Sequence, residues 1–284
     1  MSLADGAATA AVAPEGNTTR LLRLWLACQQ YANQPIGADH VPLALRGRVC
    51  GWLAPATAAC LLRPPSPFGF EACWVAPSRP VAASQEATHL LGWATERLRE
   101  SGIVRIGRPE MLDVFASGNE LIGTAERAAC RALGIETRSV QLNAFDRSGA
   151  LFAARRASHK LSDPDRWDNL AGGMIASDES DVQALAREAY EEAGLTLEGV
   201  SVVRGSSLRV QRPVAEGLMI ETAQVFDVVL PDDFVPKNLD GEVAGFELRS
   251  VESALDGVER GDFTLQASLA ILDSLRRSRG TIPR

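Results

Sequence analysis

Apolar residues recur along the chain at two different periods, and the places where one gives way to the other mark out its elements. Leu21, Leu22, Trp25, Leu26 and Cys28 return at helical spacing behind Thr18 and Thr19, whose hydroxyls suit a helix start. Short apolar and β-branched runs broken by glycine and proline come next, at Val41 to Leu45, Arg48 to Leu53 and, beyond a turn-rich stretch from Pro64 to Gly69, Glu71 to Val75. Each reads as a strand of a small sheet. Ser84 to Ser101 sets Leu90, Leu91, Ala94 and Leu98 on one helical face and stops at Gly102, and a further helix is expected over Thr124 to Leu133, closed by Gly134.

The pattern changes near Ser139. Val140 to Phe145 and Ala150 to Ala154 flank Asp146 to Gly149 as two strands flank a hairpin turn. A glycine-bearing loop, a helix from about Asp181 to Ala193, strands at Val200 to Val203, Leu218 to Leu230 and Gly245 to Leu248, and a closing helix from Leu265 to Arg277 follow. This order predicts a flexible tail over 1–19, a smaller α+β domain over 20–138, and an α+β domain over 139–284 whose mixed sheet lies between helices.

Composition narrows the class. With 284 residues, 46% of them hydrophobic and 23% charged, the chain has a globular make-up. A formal net charge of -7 argues against nucleic acid as the main partner, because phosphate backbones are bound by clustered Lys and Arg. The five cysteines, Cys28, Cys50, Cys60, Cys73 and Cys130, form no CxxC pair, so neither a disulfide framework nor a zinc knuckle is expected. The first residues lack a basic flank followed by an apolar run, and no apolar stretch approaches the ~20 residues that span a bilayer. A cytoplasmic protein without a membrane partner is the expectation.

The candidate chemistry sits in GMIASDESDVQALAREAYEEAGL, from Gly173 to Leu195. At ~100° per residue, Glu188, Glu191 and Glu192 share about a third of the helix circumference. Val182, Leu185, Ala186, Ala189 and Ala193 occupy another stripe, which is expected to face the core and to leave the acidic face turned outward to a ligand. Like charges four apart destabilise a helix, and three near its C-terminus oppose the dipole as well, so a compensating cation is called for. Mg²⁺ takes oxygen ligands and bridges carboxylates to phosphates. Arg187 and Glu179 are placed to pair, Gly173 suits a close backbone approach, and Gly194 suits a helix C-terminal turn. A solvated, charge-rich helix face is the bland alternative. Against it stands the spacing GX5EX7REUXEEXGU, with U apolar, whose seven fixed residues would coincide by chance in such a chain with a probability on the order of 10⁻⁶.

That spacing is the Nudix box, and the chain is similar to Nudix hydrolases. The resemblance implies an α/β/α Nudix sandwich in the second half, with Glu188 and Glu192 as principal ligands of Mg²⁺ or Mn²⁺, Glu191 assisting, and the Gly172 carbonyl as a further ligand. It implies that Arg187 and Glu179 hold the geometry while water attacks phosphorus in a small-molecule diphosphate. The general base comes from the box or from a later loop, where Glu242 stands in Asp240-Gly241-Glu242-Val243; an ordinary turn carboxylate is its other reading. The stretches RGRVCGWLAP (46–55), ERAACRALGI (126–135), WDNLAGGMI (167–175) and DGEVAGFEL (240–248) resemble the subgroup with a DUF4743-type N-terminal domain, related to the Nudix part of fungal thiamine pyrophosphokinases. Membership would imply hydrolysis of damaged thiamine diphosphates, such as oxothiamine diphosphate, to monophosphates. The stretch from Lys160 to Asp165 is more acidic than its counterpart in that subgroup, which bears on the substrate.

Other residues carry two readings each. Trp167 is placed to stack on a heteroaromatic ring or to anchor the core, the second being the commoner role. Arg155, Arg156 and Lys160 are diphosphate-gripping candidates, or solvated strand-end residues. Glu216 lies in a loop ahead of the Leu218 strand and is a further substrate contact candidate. His40, His89 and His159 share no ligand spacing, and Cys50 and Cys60 read as buried and inert. Three alternatives stay open: a hydrolase of ADP-ribose or another nucleoside diphosphate derivative, an isomerase of the isopentenyl-diphosphate type, and a non-catalytic ligand sensor. The isomerase chemistry calls for a cysteine, which 139–284 lacks. The N-terminal domain is expected to shape the pocket or a homodimer surface.

Overall fold

The computed structural model describes residues 17–278 apart from 72, 108 and 117; of the tail expected over 1–19, residues 1–16 lie outside the described residues. The chain opens with helix α1 (Asn17–Ala32), so Thr18 and Thr19 sit inside its first turn. Its buried positions are Leu21, Leu24 and Ala32, with Trp25 and Cys28 partly covered, the i, i+3, i+4, i+7, i+11 set of one stripe. Leu22 and Leu26, expected on that stripe, are exposed.

Strands β1 (Val41–Leu45) and β2 (Arg48–Leu53) form a hairpin, followed by helix α2 (Pro55–Leu62), which opens on a proline whose missing N–H costs nothing there. Strands β3 (Phe68–Glu71) and β4 (Trp74–Pro77) complete a sheet of order β2-β1-β4-β3. The single strand expected over Glu71 to Val75 therefore straddles a turn. Helix α3 (Ser84–Glu100) buries Ala87, Leu91, Ala94 and Leu98 and gives way to Gly102 at φ +77°. It packs on a hairpin of β5 (Met111–Ala116) and β6 (Glu120–Glu126). The helix expected over Thr124 to Leu133 shrinks to α4 (Arg127–Cys130), because Thr124 to Glu126 are held in the β6 ladder.

The second sheet begins with β7 (Glu136–Phe145), turns at Asp146 to Gly149 and returns as β8 (Leu151–Arg156). Short strands β9 (Trp167–Asp168) and β10 (Ala171–Met174) lead to helix α5 (Asp181–Ala193), and then come β11 (Val202–Val214), β12 (Gly217–Val229) and β13 (Val243–Arg249). Helices α6 (Val251–Arg260) and α7 (Leu265–Arg277) close the chain. The strand order is β11-β12-β7-β8-β13, with β10 added to β7 and β9 to β8; β12 and β7 run parallel and the remaining pairs antiparallel. The mixed sheet between helices is thus present. β7 starts at Glu136, ahead of the change of pattern near Ser139.

Alternation along the strands divides the core between two faces. Val140, Leu142, Ala144, Phe152, Phe226 and Val228 pack under α5. Phe145, Leu151, Ala153 and Val225 face the other way, toward α1, α6 and α7. Helix α1, expected to head the N-terminal domain, is instead part of this second layer, with Arg20 bridging to Glu252, Asp256 and Glu259 of α6. Among the described residues no helix is long and apolar enough to cross a membrane.

The docking of α1 predicts an asymmetric response to truncation. Leu24→Ala, at a site 5% exposed, is expected to cost about 2–5 kcal/mol in denaturant unfolding, against under about 0.5 kcal/mol for Leu22→Ala, at 51%. Equal losses would show that α1 docks through a different face.

Candidate active site

Helix α5 is fixed at both ends by its own sequence. Ser180 accepts the Gln183 backbone N–H at 3.3 Å while the Gln183 side chain accepts the Ser180 N–H at 2.9 Å, a reciprocal cap. At the other end Gly194 adopts φ +64°, a left-handed conformation a β-carbon disfavours. Two late carbonyls that a helix leaves unpaired accept from the chain beyond: Glu191 O from Leu239 N at 2.8 Å and Ala193 O from Lys237 N at 2.9 Å. These bonds lay the segment leading to 238–242 along the end of α5. There the Asn238 side chain accepts Gly241 N–H and Asp240 accepts Glu242 N–H, shaping a turn that presents Asp240 and Glu242.

The acidic side of α5 is not turned outward as its amphipathic pattern suggested. Glu188 and Glu192 are only 9% and 8% exposed, whereas Val182, expected in the core, is 57% exposed and Ala186 is exposed too. The helix is rotated so that Ala184, Leu185, Glu188, Ala189, Glu192 and Ala193 face the sheet. Two glycines of β10 make this fit. A β-carbon on Gly173 would fall on the Glu188 carboxylate, and the Gly172 N–H donates to Glu192 Oε2 at 2.9 Å. It is this amide of Gly172, the residue expected to offer its carbonyl to the metal, that meets a box carboxylate.

Arg187 and Glu179 pair in the expected way: Nε to Oε1 at 2.9 Å and Nη2 to Oε2 at 2.8 Å. The same guanidinium donates to the Met174 carbonyl at 3.0 Å, to Glu188 Oε1 at 2.6 Å and to Glu191 Oε2 at 3.4 Å. One arginine thereby ties the loop before α5 to two of its glutamates. The Arg187 bond holds the Glu179 carboxyl below its usual range. Burial pushes the Glu188 carboxyl up, with Arg187 opposing. Burial, and then the neighbouring Glu188 charge, push the Glu192 carboxyl up to about 8.

Glu192, Asp240 and Glu242 present carboxylate oxygens that all lie within 4.8 Å of one another. An all-oxygen set of this kind, partly buried and crowded with negative charge, fits Mg²⁺ or Mn²⁺ and is relieved by either. Lys160 also reaches in: its ammonium ion-pairs with Glu242, and burial foremost holds it below its usual range, with Arg156 and Arg127 adding to the push and Glu192 opposing it. Arg156 donates to Asp168 Oδ2 at 2.8 Å, and the Asp168 charge is felt at Glu192.

Of the residues singled out in the sequence, Glu179, Arg187, Glu188, Glu191, Glu192, Glu242, Gly172 and Lys160 come together here. Others do not. Trp167 lies in the α6 and α7 layer, with the Arg249 guanidinium 4.0 Å over its ring, in the core-anchoring role. Arg155 is exposed and faces Asp165 at 3.5 Å; its neighbour Arg156, on the opposite face of β8, is the one directed to the site. Glu216 lies at the β11–β12 turn, where Arg131 donates to it at 3.3 Å. Asp240, Asp168 and Arg127 were passed over. The carboxylate two before Glu242 in a glycine turn was a usable signal for Asp240, whereas nothing local in the sequence marks the other two.

Residues 136–267 match the NUDIX domain model. Nudix hydrolase 24, chloroplastic, of Arabidopsis thaliana is 28% identical over 209 residues, covering 68% of this chain and 54% of that protein. An isopentenyl-diphosphate Delta-isomerase of Clavibacter sepedonicus is 36% identical over 100 residues, covering 33% of this chain and 50% of that one. The crystal structure of DR0079 from Deinococcus radiodurans aligns with a TM-score of 0.48 at 24% identity, covering 59% of this chain and 98% of that one. The chain spans about half the length of the curated relatives it matches.

Cation binding at this site is predicted to depend on pH. Glu192 must be ionised to act as a ligand, and its carboxyl titrates at about 8, so below that pH a cation has to displace a proton. Apparent Mg²⁺ affinity should therefore rise with pH, by up to about tenfold per unit, and level off above 8. Titration calorimetry in buffers of different ionisation enthalpy reads the released proton. A flat profile from pH 6 to 9 would contradict this account.

Proposed function

We propose, from the match of residues 136–267 to the NUDIX domain model, that this chain is a divalent-cation-dependent hydrolase of a diphosphate bond in a small-molecule substrate. One observation carries the reading: Glu192 of the box helix meets Asp240 and Glu242 of a distant turn within 4.8 Å, beside a buried Glu188. In this reading Glu188, Glu192, Asp240 and Glu242 hold Mg²⁺ or Mn²⁺, with Glu191 at the rim. When bound, the ion lowers the pKa of a water ligand and neutralises charge on the phosphoryl oxygens. The chain's own groups do the rest. Arg187, fixed by Glu179, holds Glu188 and Glu191 in register, and Gly172 orients Glu192. Lys160 and Arg156 bring positive charge to the same side, suited to diphosphate oxygens. Water adds to one phosphorus, the bridging oxygen leaves with the other phosphoryl group, and Glu242 or a box glutamate takes the water's proton.

The finer candidate is a damaged thiamine diphosphate, such as oxothiamine diphosphate, cleaved to monophosphate and phosphate. The stretches at 46–55, 126–135, 167–175 and 240–248, which resemble the subgroup with a DUF4743-type first domain, support it. ADP-ribose or another nucleoside diphosphate derivative is the competing class. An isomerase role is disfavoured by the lack of any cysteine in 139–284. A cytoplasmic setting belongs to the same reading and is supported by five unpaired cysteines.

Mg²⁺-dependent phosphate release from oxothiamine diphosphate, thiamine diphosphate, ADP-ribose and a deoxynucleoside triphosphate tests the proposal. A kcat/KM preference for the oxidised thiamine compound is expected, and Glu192→Gln is expected to lower kcat by about a hundredfold or more while circular dichroism stays unchanged. A win for ADP-ribose would keep the hydrolase and discard the thiamine assignment. Near wild-type turnover in Glu192→Gln would remove the metal-site assignment.

A further inference from the structure

The loop from Ala157 to Arg166 carries Lys160 to the carboxylates, and its backbone is not one the chain adopts freely. Asp163 and Asp165 both take positive φ, +48° and +61°, a region L residues visit rarely, with the rigid Pro164 between them. Asp tolerates this region better than most L residues, so hydrogen bonds and ion pairs decide how firmly the loop is held. The Lys160 N–H donates to Ala157 O at 3.1 Å, and Ala157 N–H donates to Glu242 O at 2.9 Å. From β8, the Arg156 guanidinium reaches Ser162 O at 2.9 Å and Asp163 O at 3.1 Å. The loop is also held by the Lys160–Glu242 ion pair and, at its far end, by Arg166 donating to Gly261 O at 2.7 Å. One further tether comes from outside residues 136–267: Arg131, just beyond α4, donates from Nη1 to Ser162 Oγ at 3.2 Å.

We propose that Arg131 is a positioning residue of the diphosphate site, through which the N-terminal segment latches the Lys160 loop over the carboxylates of α5 and of the 238–242 turn. The latch is mounted on a fixed base. Leu218 N–H of β12 donates to Arg131 O at 2.9 Å, and Trp52 N–H of β2 donates to Leu133 O at 3.0 Å, so the backbone of 131–133 is pinned between both sheets. Arg127, one helical turn earlier, is close enough for its charge to act on both Lys160 and Glu188. The same segment of chain thus borders the site and grips its loop. Loss of the Arg131 side chain leaves the backbone anchor in place and releases Ser162 alone, apart from the exposed pair with Glu216. The ligand class that feels the release is the anion Lys160 faces, a diphosphate; this part of the inference rests on the function proposed above.

The test uses Arg131→Met and Ser162→Ala, singly and together, in the full chain. Two readouts are taken: the rate at which trypsin cuts the folded protein after Lys160, and the affinity for inorganic pyrophosphate in the presence of Mg²⁺. Each single variant is expected to speed that cut and to weaken pyrophosphate binding by about fivefold. In the Arg131→Met background, Ser162→Ala should add nothing, since both remove the same bond. Ser162→Ala removes only a hydroxyl and keeps the backbone bonds to Arg156, so it answers the question even if Arg131→Met folds poorly. An unchanged cut in Ser162→Ala, or additive losses in the double variant, would overturn the latch. If trypsin behaves as expected but the wild-type chain binds no pyrophosphate, the latch stands and the diphosphate reading fails.

Discussion

The site depends on one demanding contact, the burial of Glu188 and Glu192 between α5 and β10. Removing a carboxylate from water costs several kcal/mol unless hydrogen bonds and opposite charge replace what water supplied. The surroundings supply both. Glycine at 173 leaves room for one carboxylate, the amide of Gly172 answers the other, and Arg187 spends a single guanidinium on Glu179, Glu188, Glu191 and the Met174 carbonyl. Even so, the compensation is incomplete, since Glu192 is left with a carboxyl pushed up to about 8 by burial and by Glu188. In the proposed reading, a cation from outside takes the place of the proton that Glu192 otherwise retains.

That incompleteness explains why the surrounding loops are tied so heavily. The loop before α5 is held by Ser177, whose N–H donates to Met111 O at 2.8 Å and whose hydroxyl donates to Asp113 at 2.7 Å, both on β5 of the N-terminal sheet region. Met174 packs into the N-terminal core. The turn after β12 is held by the last carbonyls of α5, and the Lys160 loop by Arg156 and Arg131. Carboxylates and ammonium groups crowded together would drive flexible loops apart or into alternative pairings. Backbone bonds to ordered strands and helix ends remove that freedom before any ligand arrives, which is what preorganisation requires.

Legibility in the sequence followed the range of the interactions. Helices α5 and α7 appear at the expected residues because capping and 3.6-residue periodicity are local, and the box spacing located most of the residues that meet at the site. The hairpin of β5 and β6 was missed because it is stabilised by packing on α3, and it ends on Ala125 and Glu126, two residue types that favour helix. Helix α6 was legible and overlooked: Ser250 caps it, and Ala254, Leu255 and Val258 form its buried stripe. The outward orientation assigned to the acidic face of α5 failed for a deeper reason. Amphipathic reasoning treats a carboxylate as a solvent-facing group, and a buried carboxylate cluster is the case in which that rule inverts. Asp240 and Asp168 are brought to Glu192 by tertiary contacts across 48 and 24 residues of chain; the glycine turn next to Glu242 was a local sign of the first, and no local pattern encodes the second.

The sheet itself decides where the carboxylates go. Strand β7 pairs with β8 only at Ala144 and Phe145, while its earlier half, Ser139 to Leu142, pairs with β10. The two neighbours of β7 on that side therefore diverge, and Asn169 and Leu170 cross from β9, which lies on β8, to β10. Since β10 pairs with β7 alone, its outer edge keeps amides that no strand accepts. In a protein built only for stability such an edge would be covered or shortened. Here Glu192 takes the Gly172 amide, at the point where β8 leads into the Lys160 loop and β13 follows the Glu242 turn. The split in the sheet thus creates the unpaired amide that orients a buried carboxylate and opens the gap through which the other charged groups reach it.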